Sequence, residues 1–415
     1  MRLKEVACIN RSSLPDATGP DYAFKYVDIS SVDGTGEVTV PAAKTTFAVA
    51  PSRARRLAPT GATVVSTVRT YLRAIGRVPD VPDQLVFSTG FAVLEAGPRI
   101  DAGYLFYLCR SEPFVQYVVA HSAGVSYPAI NPGDLGNFPV SLPPVEEQRR
   151  IAEFLDLETR RISQLQALTR RQQWLETKRL AEFLRLATTT TAGVPNRETG
   201  LSWMPVASTA WPLLKISHAF VTGSGTTPSS SDAKYFEGDV PWVNSGDVAD
   251  GPIATTVKAV TPAALRDYPA LKVFPPGALV VAMYGAGATK GRVGVLSVSA
   301  CVNQACCVLM GTGRITAEFA YYWFRSHRDG IVRLATGAGQ PNLSQELIRT
   351  LKMPAPTLQE QGYIVQRVRR EENVSRAKIE ALGKRLDLLS ERRQALITAA
   401  ITGRIDPTTA RGGHV

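Results

Sequence analysis

Few stretches of this 415-residue chain hold the residue types that chemistry needs. The run GAGATKG (285–291) sets glycines beside a lysine, the material of a phosphate cradle. It lacks the Gly-Lys-Ser/Thr ending of a nucleotide-binding loop and the spacing of a dinucleotide fingerprint. The five cysteines (8, 109, 301, 306, 307) and four histidines (121, 218, 327, 414) are too scattered for a zinc site, which needs ligands at close, regular spacing. Cys306 and Cys307 stand together in the apolar run ACCVLM, which reads as a buried strand. An odd number of cysteines in a large chain reads as free thiols. NPGD (131–134) falls short of the Asn/Asp-Pro-Pro-aromatic motif of amino-methyltransferases. No histidine sits beside a nucleophile and an acid in a known arrangement, and no acidic pair with a following lysine suggests a metal-dependent nuclease. The sequence reads as a binder rather than a catalyst, with no metal and no cofactor of its own.

The residues suited to binding lie in two acid-free stretches. Residues 38–79 hold no Asp or Glu but carry Lys44, Arg53, Arg55, Arg56, Arg69, Arg73 and Arg77. Residues 268–317 likewise lack acids and carry Lys272, Lys290, Arg292 and Arg314. Positive charge interleaved with Ser, Thr and Tyr suits phosphate contact with base edges within reach. Two further loops, SAGVSYPAIN (122–131) and TGAGQPNLS (336–344), offer small residues followed by polar groups and proline. The candidate DNA contacts are Lys44, Arg53, Arg55, Arg69, Thr70, Arg73, Arg77, Ser126 and Tyr127, then Asn244, Tyr284, Lys290, Arg292, Gln340 and Asn342. The bulk charge agrees: 47 basic against 36 acidic residues leave a net +11, which favours a polyanionic partner.

These stretches correspond because the chain is a tandem duplication. PPVEEQRRIAEFLD (143–156) and PAPTLQEQGYIVQRV (354–368) share a Pro-x-x-x-Glu-Gln start. PTGATVV (59–65) faces PPGALVV (275–281), and Tyr107, Arg110 and Ser111 face Tyr322, Arg325 and Ser326. Gly124 and Pro128 face Gly337 and Pro341. The offset stays between 213 and 216 throughout.

Each copy opens with short β-branched and aromatic runs broken by Gly and Pro, with one short amphipathic helix, 101–111 or 316–326, which predicts an α+β domain. Each then continues into a long helix. Ile162, Leu165, Leu168 and Leu175 in the first, and Ile379, Leu382, Leu386 and Leu389 in the second, suggest a heptad seam that only Arg393 interrupts. No Pro or Gly breaks residues 145–186, so the first helix would run roughly 60 Å. The expected fold is two α+β domains held apart by two long antiparallel coiled-coil helices, a pseudo-twofold dumbbell. The boundaries expected are a first domain at 1–144, a first helix at 145–187, and a linker at 188–210. A second domain at 211–357, a second helix at 358–402 and a tail at 403–415 follow. An N-terminus without an apolar stretch suggests no signal peptide, and no window of about 18 apolar residues suggests no membrane span, so a cytoplasmic location is expected.

Taken together, the sequence resembles the specificity subunits of type I restriction–modification enzymes along essentially its full length. The resemblance rests on the paired Glu-Gln helix starts and on ERRQALITAAITGRID (391–406), FPPGALVVAMYGAGATKGRVGVL (274–296), INRSSLP (9–15), VSYPAINPGDL (125–135) and TGLSWMP (199–205) with Trp211. It implies that each globular domain is a target recognition domain reading one half of an asymmetric, interrupted DNA sequence. The helices would set the gap and dock two modification subunits that use S-adenosylmethionine. Restriction subunits would add translocation driven by ATP and Mg, so that catalysis resides in the partners. The first helix ends in KRLAEFLRLATTTT where the second has RRQALITAAITG, and Arg69, Arg73 and Arg77 replace the glycines of the second domain, so the halves should read different sequences. A methylation-only or regulatory DNA-binding assembly is the alternative reading. A coiled-coil scaffold that never touches DNA is another, of a different class.

Overall fold

The computed structural model describes residues 1–285, 289–336 and 341–406. It divides into two compact units, Met1–Arg170 with Gly383–Val415 and Arg171–Leu382. Each unit contains one copy of the α+β domain and its own stretch of both long helices, Val145–Thr189 and Leu358–Ile401.

In the first unit, strands Ala7–Ile9, Phe91–Ala96, Thr63–Ser66 and Ile75–Arg77 form an antiparallel sheet in that order. A mixed sheet of Thr45–Thr46, Ala23–Val27, Leu85–Ser88 and Ala54–Leu57 packs nearby. The second unit repeats the central pair. Val64 lies opposite Val93 in the first sheet, and Val280 lies opposite Val308 in the second. The same turn leads into each strand: Ala62 N donates to Pro59 O at 3.0 Å, and Ala278 N to Pro275 O at 3.3 Å. Gly61 and Gly277 take the positive φ (82° and 83°) that such a turn demands and that a side chain would resist. Cys306–Gly311 is a buried strand, and the five cysteines are free.

The helices start where the periodicity placed them, Ala102–Arg110 capped by Asp101 and Ala317–Val332 capped by Thr316, the second running six residues beyond the expected end at 326. In each case the cap oxygen accepts from the backbone N–H three residues on, which satisfies a donor the helix leaves free. Ile151, Leu155 and Ile397 complete the core of the first unit beside Tyr104 and Phe114. Leu184, Ile364 and Val368 do the same in the second, beside Phe319 and Trp323. The expected linker at 188–210 is largely a β-hairpin, Asn196–Leu201 with Met204–Ser208, whose Met204 and Ala207 join the second core.

The long helices run antiparallel within each unit. In the first, Gln166 Nε2 donates to Ser390 Oγ at 2.9 Å, and Arg393 donates to Ser163 Oγ at 2.7 Å. In the second, Gln173 Nε2 donates to Ile379 O at 3.2 Å, and Ser375 Oγ to Glu176 at 2.5 Å. The seam differs from the expected one on the first helix. Ile162, Gln166 and Thr169 are buried, with Gln173 and Glu176 following at heptad spacing, whereas Leu165, Leu168 and Leu175 are 37%, 60% and 48% exposed. The leucines at 165, 168 and 175 each sit one residue before a seam position, about 100° around the helix. On the second helix Ile379, Leu382 and Leu386 are half-buried and Leu389 is buried, as the heptad required. Arg393 lies inside the seam instead of breaking it, met by Ser163 and Gln166.

Candidate nucleic-acid interface

In the first unit the hairpin loop between Thr63–Ser66 and Ile75–Arg77 is bound to the loop at 122–130. Arg69 N donates to Pro128 O at 2.8 Å, and Ile130 N to Thr67 O at 2.9 Å. Thr70 Oγ1 and Ser122 Oγ lie 2.9 Å apart. Ala123 and Ala129 exchange both backbone hydrogen bonds, which closes the second loop into a small hairpin. Two sequence features more than 50 residues apart thus form a single surface. Its backbone is strained: Arg69 and Arg73 flank the 3₁₀ turn Thr70–Leu72 in the left-handed region, at φ 48° and 54°. Such conformations cost on the order of 1–3 kcal/mol each for residues with side chains, and they gather at functional sites.

The arginines of the basic run divide by what they meet. Arg69 lays its guanidinium over the exposed Tyr127 ring, 4.6 Å from its centre. Arg53 Nε donates to Tyr26 Oη at 3.0 Å. These two, with Ser88 and Tyr127, line a recess of about 610 Å³, and neither forms an ion pair among the described residues. Ser126 is exposed on the same loop. Arg55 stacks on Phe47 at 4.4 Å with Asp16 at 3.9 Å, and Lys44 pairs with Asp83 at 2.8 Å.

Three further expected DNA contacts are held inside the unit. Arg73 is held by both oxygens of Glu112 at 2.8 and 3.0 Å, and this hydrogen bonding keeps the Glu112 carboxyl below its usual range. Arg77 turns to Asp156 on the first long helix, at 3.2 Å to each oxygen, and stacks on Phe106. Tyr107 donates to the same carboxylate at 2.6 Å, and its own ionisation is pushed far upward, first by burial and then by that bond. Thr70 is buried. Arg77 therefore ties the domain to the first long helix, Arg73 is held by Glu112 within the domain, and Thr70 pins the loop from beneath. Their charge and polarity were visible in the sequence, while the carboxylates that claim the arginines lie 39 and 79 residues away.

The second unit repeats the arrangement with different side chains. Lys290 donates to Pro341 O, so the proline that matches Pro128 again receives a bond from the basic hairpin loop. Asn342 pairs with Thr336 through backbone bonds of 3.0 and 3.2 Å. Asn244 closes a local turn, its Oδ1 accepting from Gly246 N at 2.8 Å. Tyr284 is half-buried against the core, where loss of solvent raises its pKa, and Arg292 is half-buried. Gln340 lies outside the described residues.

The Tyr71 and Leu72 side chains, both exposed at the crest of the strained turn, were missed by the sequence reading. No sequence signal marks them, because left-handed arginines look like any others. Among the described residues no cluster of three or more His, Cys, Asp or Glu is placed to hold a metal, and no helix is long and apolar enough to cross a membrane.

Each α+β domain presents a basic two-loop surface of the kind that suits an anionic partner. The profile of the type I restriction modification DNA specificity domain matches residues 1–173 and 211–382, and the chain belongs to that family. Both matched regions are, by that family's description, DNA specificity domains. It is similar to the type I restriction enzyme MjaIX specificity subunit of Methanocaldococcus jannaschii, 24% identical over 159 residues. That match spans 37% of this chain and only 36% of the relative's length. Its fold is similar to that of the HsdS subunit from Thermoanaerobacter tengcongensis (TM-score 0.58, 24% identity, covering 98% of this chain and 96% of that one). It is also similar to a chain from a structural study of complex assembly and conformational transition of the type I R-M system. There the TM-score is 0.77 at 24% identity, covering 98% and 97%.

Proposed function

We propose that this chain is the sequence-recognition subunit of a type I restriction–modification complex. Each unit reads one half of an asymmetric bipartite DNA target. The observation that carries this reading is the recurrence of the two-loop surface in both units, with the proline carbonyl kept as acceptor and the surrounding side chains changed. A shared scaffold with different reading residues is what an asymmetric target requires.

The long helices set the gap between half-sites and receive two modification subunits. Supporting this are Leu168, Trp174 and Leu175, large apolar side chains that the first helix leaves exposed. The modification subunits would bring S-adenosylmethionine, and restriction subunits would bring the ATP- and Mg-dependent steps, so neither cofactor is assigned to this chain. Sequencing of methylated bases in the host genome tests the reading. It should show one bipartite motif that disappears when this gene is deleted. Replacing residues 1–144 by the same domain of a relative should alter one half of the motif and spare the other. An unchanged methylome after deletion would sink the proposal.

A further inference from the structure

The turn Thr70–Leu72 holds Tyr71 and Leu72 out in solvent, 54% and 48% exposed. Its backbone is fixed by hydrogen bonds. Leu72 N donates to Arg69 O at 2.9 Å and Arg73 N to Thr70 O at 3.1 Å, so the turn is closed on itself. Thr70 is buried and tied to Ser122, so the turn is also fixed from below. Two adjacent large apolar side chains held outward on a strained, rigid turn contribute nothing to the core, and such groups mark contact surfaces.

The neighbours indicate what they contact. Leu72 lines the same recess as Arg53, Arg69 and Tyr127, two of them cations with no ion pair among the described residues. Asp28 stands at its rim but is occupied by the Ser30 backbone and hydroxyl, at 2.9 and 2.6 Å. A polyanion therefore satisfies the rim, while the crest needs an apolar group. Duplex DNA supplies phosphates for the arginines, and its major groove displays a single apolar feature on the base edges, the 5-methyl group of thymine. We propose that Tyr71 and Leu72 are specificity-determining residues of the first unit and that they pack on thymine 5-methyl groups in its half-site. This rests on the DNA-recognition reading above. A wedge inserted from the minor groove would be blind to that methyl group, which separates the two modes.

The test uses the full chain assembled with modification subunits and a target duplex selected from random DNA. Each thymine is replaced in turn by uracil, which removes only the methyl group. At one or more thymines of a single half-site the affinity should fall about fourfold, the value of one buried methyl at about 0.8 kcal/mol. In Tyr71→Ala or Leu72→Ala, thymine and uracil should bind alike at those positions, while binding to the other half-site is unchanged. A half-site without a methyl-sensitive thymine overturns the proposal, as does methyl sensitivity that survives both substitutions. The uracil series needs no variant, so misfolding cannot mask the result. Failure of the unaltered complex to bind any duplex would instead overturn the DNA reading itself.

Discussion

Gln148 and Gln361, equivalent residues in the two units, make the same three hydrogen bonds. Gln148 Oε1 accepts from Asp101 N at 2.9 Å, and its Nε2 donates to Arg99 O and Pro143 O at 3.1 and 2.8 Å. Gln361 Oε1 accepts from Thr316 N at 2.7 Å, and its Nε2 donates to Arg314 O and Pro356 O at 3.0 and 2.9 Å. Each glutamine thus links the first turn of a long helix to the N-cap residue of the short helix and to the proline that opens the long one. Both are fully buried. A side chain with one acceptor and two donors is needed to do this, which gives the glutamine of the shared phrase the same role in both units.

Removing either glutamine leaves a buried amide and two carbonyls unpaired. Gln148→Leu or Gln361→Leu should each destabilise its own unit by about 1–3 kcal/mol. Glutamate should be no better, since its carboxylate cannot donate to the two carbonyls. Glu147→Gln should change stability by less than about 0.5 kcal/mol. Urea unfolding of the purified chain would check the contrast. Equal midpoints for Gln148→Leu and Glu147→Gln would refute the bridging role.

His327 should make the second unit sensitive to acid. It is buried and stacked beside Trp323, with Nδ1 2.9 Å from Trp323 O. Burial pushes its pKa down to about 4 from the ordinary 6.5. Between these values the unfolded chain binds a proton that the folded unit refuses. The stability is therefore complete above about pH 6.5 and falls as pH drops toward 4, by about 3 kcal/mol in total. His327→Gln should flatten this slope. A slope identical in both proteins would assign the acid sensitivity elsewhere.

Arg69 and Arg73 were indistinguishable in the sequence and should behave differently. Arg73→Ala breaks a half-exposed pair with Glu112 and should cost up to about 1 kcal/mol of stability, leaving DNA affinity intact. Arg69→Ala should leave stability nearly unchanged. If Arg69 meets phosphate, binding to all sequences should weaken and the salt slope should drop by about one. If it reads a base, one position of a half-site should relax by about 1–3 kcal/mol. Fluorescence anisotropy across a salt series would decide, and a larger affinity loss for Arg73→Ala would reverse the assignment.

The contrast shows where sequence reading succeeds. The duplication, the strand at Thr63–Ser66 and the long helices were legible because apolar periodicity and turn residues are local signals. The partner of Arg73 was not, because Glu112 is brought to it by tertiary folding. The seam of the first helix misled for another reason. It is built from Gln166, Thr169 and Gln173, which hydrophobicity discards, while Leu168 and Leu175 face outward. Polar residues that bond across the helices at Ser390 and Ile379 O specify register in a way that a uniform leucine seam would not.

That displaced stripe leads to the final expectation. Leu168, Trp174 and Leu175 on the first helix are largely exposed, and none of them joins the core of its unit. Leu168→Ser and Trp174→Ser should therefore shift unfolding by less than about 0.5 kcal/mol. Their effect should fall on assembly, since a buried tryptophan anchor commonly dominates an interface. Leu389→Asp should do the reverse, placing an unpaired charge in a buried seam at a cost of about 4 kcal/mol or more. Co-purification with modification subunits, read beside thermal unfolding, would separate the two classes. If both serine variants assemble normally, the docking surface lies elsewhere on the helices. If they unfold like Leu389→Asp, these side chains are buried after all, and the seam follows the leucines.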